Sequence, residues 1–376
     1  MKQEIQKGIR TLFLSAVVFP LVLILIGSTA MAALPMKTVT DRNGRTVQVP
    51  LEPKRIACFF GPSYEKVFLL GSGDKVATMS LKQSPWAHKI NPGLKKAVVM
   101  PSYNDPDVEQ ILQLGVDLVF YWQWPQQTEK MASAGIPVVC PYDPRKPLSS
   151  LEFMQRFKEE IRFYGEVLGP KARKIAESYC SYYDEKMKRV VSITAKVPDS
   201  KRPRVYYIAG RGVFATQGGA GIGRWLLDLA GGNMVSKGLD QNFVDVSMEQ
   251  VIAWNPDVIL VGGQASPETI LSDPRWKSIR AVRENRVYPC PEGVFLWGNG
   301  SSESHLFVMW LAKIFHPEKF RNLDLDKEIR EYYSRYYHYT PTRDEVARIL
   351  KRMPPADRER SGGKTEKAGS VAIKPN

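Results

Sequence analysis

The residues best equipped for chemistry in this chain are few and widely separated. Four histidines (His88, His305, His316 and His338) lie far apart, and neither HExxH nor GxSxG occurs. A His-based metal site or catalytic triad is therefore not expected, and no residue stands out as catalytic. The four cysteines, Cys58, Cys140, Cys180 and Cys290, form no CxxC pair. They read mostly as buried thiols, since free Cys is commonly interior. Cys140 and Cys290 follow comparable apolar runs in the two halves, so a shared thiolate site is a weaker alternative to inert packing. Gly218-Gly219-Ala220-Gly221-Ile222-Gly223 is glycine-rich. A dinucleotide fingerprint needs different glycine spacing and an acid about 20 residues on, so this is not read as a nucleotide loop.

What the chain does carry is aromatic and polar residues where apolar runs end. Tyr103-Asn104, Tyr121-Trp122-Gln123-Trp124, Tyr206-Tyr207 with Arg211, and Phe295-Leu296-Trp297 all follow or close such runs. In open α/β sheets ligands bind beyond the carboxyl ends of the strands. Aromatic walls there give large contact area at low entropic cost, and an Arg fork matches carboxylate or other anionic oxygens. The expected ligand-binding set is Tyr64, Tyr103, Trp122, Trp124, Arg211 and Trp297. Because Tyr206 and Tyr207 alternate, at least one of them is expected in the core.

The elements that must position these residues alternate between strand and helix. After a hairpin around Asn43-Gly44, Arg55–Phe60, Leu118–Phe120 and Pro137–Val139 read as buried strands, and Ser63–Leu70 has helical spacing. Val108-Glu109-Gln110-Ile111-Leu112 leads into Asp117–Phe120, and Met248-Glu249-Gln250-Val251-Ile252 leads likewise into Asp257–Leu260. A helix–strand unit repeated once at long period implies two similar lobes, not a solenoid. Between them Ser149–Val197 is almost entirely helix-forming and is broken only at Gly169-Pro170. At about 1.5 Å per residue its second part could run roughly 40 Å. The expected organisation is an N-terminal lobe over 41–168, a linking helix over 170–197 and a C-terminal lobe over 202–320. Two helices follow over 324–353, then a basic, structureless tail over 354–376. The fold class is α/β, each lobe a parallel sheet flanked by helices, the two joined by one long rigid helix.

The chain has 376 residues, 43% hydrophobic and 24% charged, which excludes wholesale disorder. Lys and Arg number 53 against 39 Asp and Glu, a net +14. Part of that excess lies at the two ends. Lys2, Lys7 and Arg10 precede the apolar run Leu12–Ile26 and the small residues Ala30-Met31-Ala32. This describes a secretory signal over 1–32 cleaved after Ala32, an uncleaved anchor being the alternative. With further basic residues in the tail, the remaining charge suits an exported binder and no nucleic acid is expected.

The segment RIACFFGPSYEKVFLLGSGDKVATMS (residues 55–80) resembles the opening of the periplasmic binding proteins for iron–siderophore complexes and vitamin B12, the substrate-binding components of ABC importers. SMEQVIAWNPDVILVGG, LLDLAGGNMVSK and SSESHLFVMWLAKIFHPEKF resemble, in order, later parts of that family. The resemblance implies two lobes on one helical spine and a periplasmic location. Its implied partners are an ABC permease with its ATPase, and the protein is expected to be a monomer and no enzyme, with a secreted two-lobed enzyme as a remote alternative. It also implies one exposed carboxylate per lobe for permease docking, matched here by Glu65 and Glu303. The implied cargo is a metal–organic complex, a ferric siderophore first, with haem, cobalamin, another metal chelate or an oxyanion as alternatives. No resident cofactor is expected.

Overall fold

The computed structural model describes residues 35–80, 83–102 and 104–356. The chain opens with an antiparallel hairpin, β1 (Met36–Thr40) and β2 (Thr46–Pro50). Asp41 shapes its turn: the carboxylate accepts the N–H groups of Asn43 and Arg45, and Gly44 takes φ +82°. The same carboxylate accepts the N–H of Cys140 at 3.1 Å, tying the hairpin to the first lobe.

In that lobe β3 (Ile56–Cys58), β4 (Val76–Met79), β5 (Val98–Val99), β6 (Leu118–Phe120) and β7 (Val138–Val139) form an all-parallel sheet in the order β5-β4-β3-β6-β7. Helices α1 (Ser63–Leu69), α2 (Pro85–Ile90), α3 (Val108–Gln113) and α4 (Pro125–Ser133) connect the strands. Two antiparallel helices follow, α5 (Ser150–Leu168) and α6 (Pro170–Thr194), broken at Gly169, whose φ of +111° no longer side chain readily adopts. At their crossing a Cβ on Gly165 would lie 2.7 Å from the Ala176 Cβ, so glycine is what lets the pair pack closely.

The second lobe contains β8 (Arg204–Ile208), β9 (Ala215–Gln217), β10 (Asn233–Met234), β11 (Phe243–Asp245), β12 (Val258–Val261) and β13 (Val287–Pro289). Its helices are α7 (Ile222–Leu229), α8 (Met248–Trp254), α9 (Pro267–Leu271), α10 (Arg280–Arg283) and α11 (Ser304–Phe315). Strands β10, β8, β12 and β13 pair in parallel, but β9 pairs antiparallel with both β8 and β11. The parallel expectation misses β9 alone, since β11, antiparallel to β9, points the same way as β8; β9 is reversed because β8 returns through a tight turn at Gly210-Arg211-Gly212 instead of a crossover helix. Helices α12 (Leu325–Tyr337) and α13 (Arg343–Leu350) complete the described chain, the latter opened by a reciprocal Thr342–Glu345 capping box.

The internal repeat has a structural meaning. Helices α3 and α8 are capped alike, by Asp107 on the Gln110 N–H and by Ser247 on the Gln250 N–H. The Asp ahead of the following strand then pins the neighbouring strand. Asp117 accepts the N–H groups of Lys54 and Arg55, and Asp257 that of Arg204 at 2.8 Å.

Each lobe keeps a small apolar core on its outer sheet face, around Val119 and Met131 in the first and Ile259 and Trp276 in the second. The inner faces of both sheets share one continuous core with α6, α11 and α12. Opening the lobes widely would expose that shared surface at roughly 25 cal/mol per Å² of apolar area. The packing therefore favours small hinge motions.

Candidate ligand site between the lobes

The strand ends of the first lobe carry a row of aromatic rings. Phe60, after β3, meets Trp122 edge-on at 4.3 Å, Trp122 meets Tyr142 at 5.6 Å, and Trp124 stacks near Trp122 at 6.4 Å. Trp122, Trp124 and Tyr142 are each half-buried, which leaves ring surface for a ligand.

The strand ends of the second lobe enclose a void of about 20 Å³, the size of one or two water molecules, lined by Tyr207, Ala209, Gly262, Gly263, Cys290, Leu296, Gly298 and Asn299. Backbone approaches closely here: a Cβ on Gly262 would sit 2.9 Å from the Ile208 carbonyl, and one on Gly263 would collide with that of Gly210. The amide N–H groups of Gly263 and Gly298 donate to no other group among the described residues. Arg211, in the β8–β9 turn, is exposed and makes no ion pair among them.

Burial pushes the Cys290 thiol up to about 12 and the Cys140 thiol up to about 11. Burial therefore disfavours the thiolate form at both. All four cysteines are free and buried. Among the described residues no group of three His, Cys, Asp or Glu side chains is arranged to hold a metal ion.

Three of the six expected ligand residues, Trp122, Trp124 and Arg211, lie at strand ends with accessible surface. Tyr103 lies outside the described residues. Tyr64 and Trp297 are corrected: they are 1% and 0% exposed and belong to the shared core. Tyr64 faces inward because it sits on the buried side of α1, where its hydroxyl accepts a hydrogen bond from the Asn91 amide. Trp297 turns inward because its backbone N–H donates to Pro291, folding the loop after β13 back on itself.

The docking expectation fails on exposure, since Glu65 and Glu303 are both 0% exposed. Glu65 reaches across from the first lobe to accept the Ser302 N–H at 3.0 Å and the hydroxyls of Ser302 and Tyr337. Glu303 accepts the Phe295 N–H at 2.9 Å and the Tyr333 hydroxyl. Burial pushes both carboxyls up, Glu303 to about 8 with the neighbouring Glu65 adding to the effect. Helix α12 supplies the tyrosines that cover them.

Contacts from the first lobe to the second lobe and to the chain past α13 were invisible in the sequence. The Ser84 hydroxyl donates to the Gly293 carbonyl at 2.5 Å, and Trp86 Nε1 to that of Met353 at 3.0 Å. Nothing in a local pattern marks a Ser or Trp as bonded to a carbonyl more than two hundred residues away. A larger cavity, about 270 Å³, lies beside the α5 N-terminus. Its Arg202 is already paired with Asp199 and Asp228.

The family model for periplasmic binding proteins matches residues 56–293. The chain is similar to the molybdate-binding protein MolA of Haemophilus influenzae, 24% identical over 353 residues, covering 87% of this chain and 98% of that protein. Among solved structures, MolA bound to molybdate aligns with a TM-score of 0.74 at 22% identity, over 81% of this chain and 99% of that one. A periplasmic solute-binding protein of Veillonella parvula aligns with a TM-score of 0.69 at 24% identity, over 84% and 97%. Two lobes on a helical spine, aromatic and amide-lined strand ends, and a family match over most of the folded chain agree: the protein belongs to the periplasmic binding protein family.

Proposed function

We propose that this ABC-transporter substrate-binding protein captures a compact oxyanion of the molybdate class between its lobes and delivers it to a membrane permease with its ATPase. The observation that carries the choice of cargo is the void at the second lobe's strand ends. It is small, and it is bordered by the uncommitted amides of Gly263 and Gly298 with no carboxylate among its lining residues. Backbone amides held by a rigid sheet are good anion donors because they need no reorganisation on binding. The likeness to a molybdate-binding protein over almost its whole length supports the same class. Capture makes and breaks no covalent bond, and family relatives are transport proteins, not enzymes.

A ferric siderophore is the second reading, favoured by the half-buried row of Trp122, Trp124 and Tyr142, which offers more ring surface than an oxyanion needs. The two separate in one titration. Purified protein is mixed with molybdate, tungstate, sulfate, ferric siderophores, haem and cobalamin while tryptophan fluorescence is followed. Tight binding of molybdate or tungstate with no response to the chelates supports the oxyanion. Saturable binding of a ferric siderophore alone would replace it. Export fits the family to which the chain belongs; the signal expected over 1–32 lies outside the described residues, and among those no helix is long and apolar enough to cross a membrane.

A further inference from the structure

Helices α12 and α13 lie across both lobes. Tyr337 bonds Glu65 of the first lobe and Tyr333 bonds Glu303 of the second. Lys89 of α2 pairs with Glu345 of α13, and Trp86 bonds the Met353 carbonyl. On the other side the Glu292 N–H donates to the Ile349 carbonyl at 3.3 Å. The chain just past α13 is thus pinned between the lobes, beside the void.

At that point stands Arg352. It adopts φ +56°, directly after the helix, with the Met353 N–H returning to the Arg348 carbonyl at 2.8 Å. Helices commonly end this way on glycine, because a Cβ disfavours the left-handed region. Arg352 takes this conformation without glycine's freedom, and its side chain is engaged. The guanidinium donates to the Gly263 carbonyl and, through Nε, to Glu292 Oε2 at 3.2 Å. Gly263 lines the void, and Arg352 is near enough to Cys290 and Tyr207, two further lining residues, for its charge to oppose the rise that burial imposes on both. Among the described residues two of the five guanidinium N–H donors are engaged, which leaves donors for an anionic oxygen.

We infer that Arg352, delivered by the C-terminal helix pair, forms the cationic wall of the cargo site, so that a segment beyond the second lobe completes the anion pocket. The inference rests on the oxyanion reading above. Glu292 holds the guanidinium in register before cargo arrives, and the clasp on both lobes places that charge only when the lobes are together.

Arg352→Gly tests it with little risk to folding, because glycine suits the left-handed backbone better than arginine does. Molybdate affinity is expected to fall roughly 10- to 100-fold, the range for charge-assisted hydrogen bonds to a ligand. The thermal midpoint of the ligand-free protein should be unchanged or higher. Arg352→Lys should recover part of the affinity, and Lys89→Gln, which removes one of several clasp contacts and no group at the void, should cost clearly less than Arg352→Gly. Wild-type affinity in Arg352→Gly would overturn the inference, as would equal losses in Arg352→Gly and Lys89→Gln, which would reduce Arg352 to a clasp residue. If wild type binds a ferric siderophore and no oxyanion, the oxyanion reading fails by itself. The same three variants measured with that complex then decide whether Arg352 contributes to binding. No response to any ligand overturns both.

Discussion

Two buried carboxylate sites lie against α12, and they are built in opposite ways. Glu328 is held between Lys186 Nζ at 2.6 Å and Arg189 at 2.7 Å. Burial alone would raise its pKa, but the two cationic hydrogen bonds outweigh it and the carboxyl is held below its ordinary range. Glu65 and Glu303 are met mainly by hydroxyls and backbone N–H groups, and burial prevails, pushing both carboxyls up. Burial, then, does not decide the charge state of a carboxylate; the charge of its donors does. It follows that the Glu328 site ties α12 to α6 by ion pairing, whereas the Glu65–Glu303 site joins the lobes through hydrogen bonds that tolerate a proton.

The most severe way to break the contrast is to place a cation in the hydroxyl-lined site. Glu65→Lys or Glu303→Lys would bury an ammonium among the Tyr332, Tyr333 and Tyr337 hydroxyls, and we expect more than about 4 kcal/mol of destabilisation, with little folded protein recovered. A thermal melt of the purified variant checks this. A folded, ligand-binding variant that failed only in transport would instead restore the docking role for these residues. Next in size, Lys186→Met removes one of the two Glu328 partners and should cost about 3–5 kcal/mol, read from a urea midpoint.

A smaller effect sharpens the comparison through pH. Glu303 carries a folded-state value of about 8, above its unfolded value of 4.5, so its contribution is fully present below pH 4.5 and is lost as the pH rises through 8. His305, next to it, is buried neutral and lowered to about 3, so its contribution is present above 6.5 and is lost as the pH falls. Between pH 6.5 and 8 the Glu303 effect stands clear of that of His305. Wild-type stability should decline across this window, and Glu303→Gln should flatten the decline at a cost of about 1–2 kcal/mol at pH 6. An unchanged slope would show that Glu303 is not the group that titrates. The smallest effect is expected at the exposed Lys130–Asp105 pair, where Lys130→Glu should move stability by less than about 0.5 kcal/mol.

Much of the fold was legible because it rests on local rules. Asn43-Gly44 marks the hairpin, Gly169-Pro170 marks the break between α5 and α6, and the repeated helix–strand units mark two sheets. The reversed β9 was not legible, because a short strand reached through a tight turn carries no sequence mark that sets it apart from a parallel one. For the site, sequence located the loops but not the direction of each ring. Trp122 and Trp297 both follow β-like runs, yet one is partly open and the other is core, a difference set by how each loop folds back. Glu65 and Glu303 were expected on the surface because the family resemblance implies an exposed docking carboxylate in each lobe. Their burial depends on tyrosines brought over them by a later helix. Arg352 gave no signal, since its place beside Gly263 depends on the path of two whole helices.

The four free thiols give the molecule an internal set of clocks. Cys58 closes the first lobe's central strand, Cys140 lies where the hairpin docks, Cys180 is inside α6, and Cys290 lines the void. Each is shielded until its own neighbourhood opens, so the order in which a thiol reagent modifies them would record which part of the protein loosens first. With no disulfide among the four, each buried thiol would report on the opening of its own neighbourhood alone.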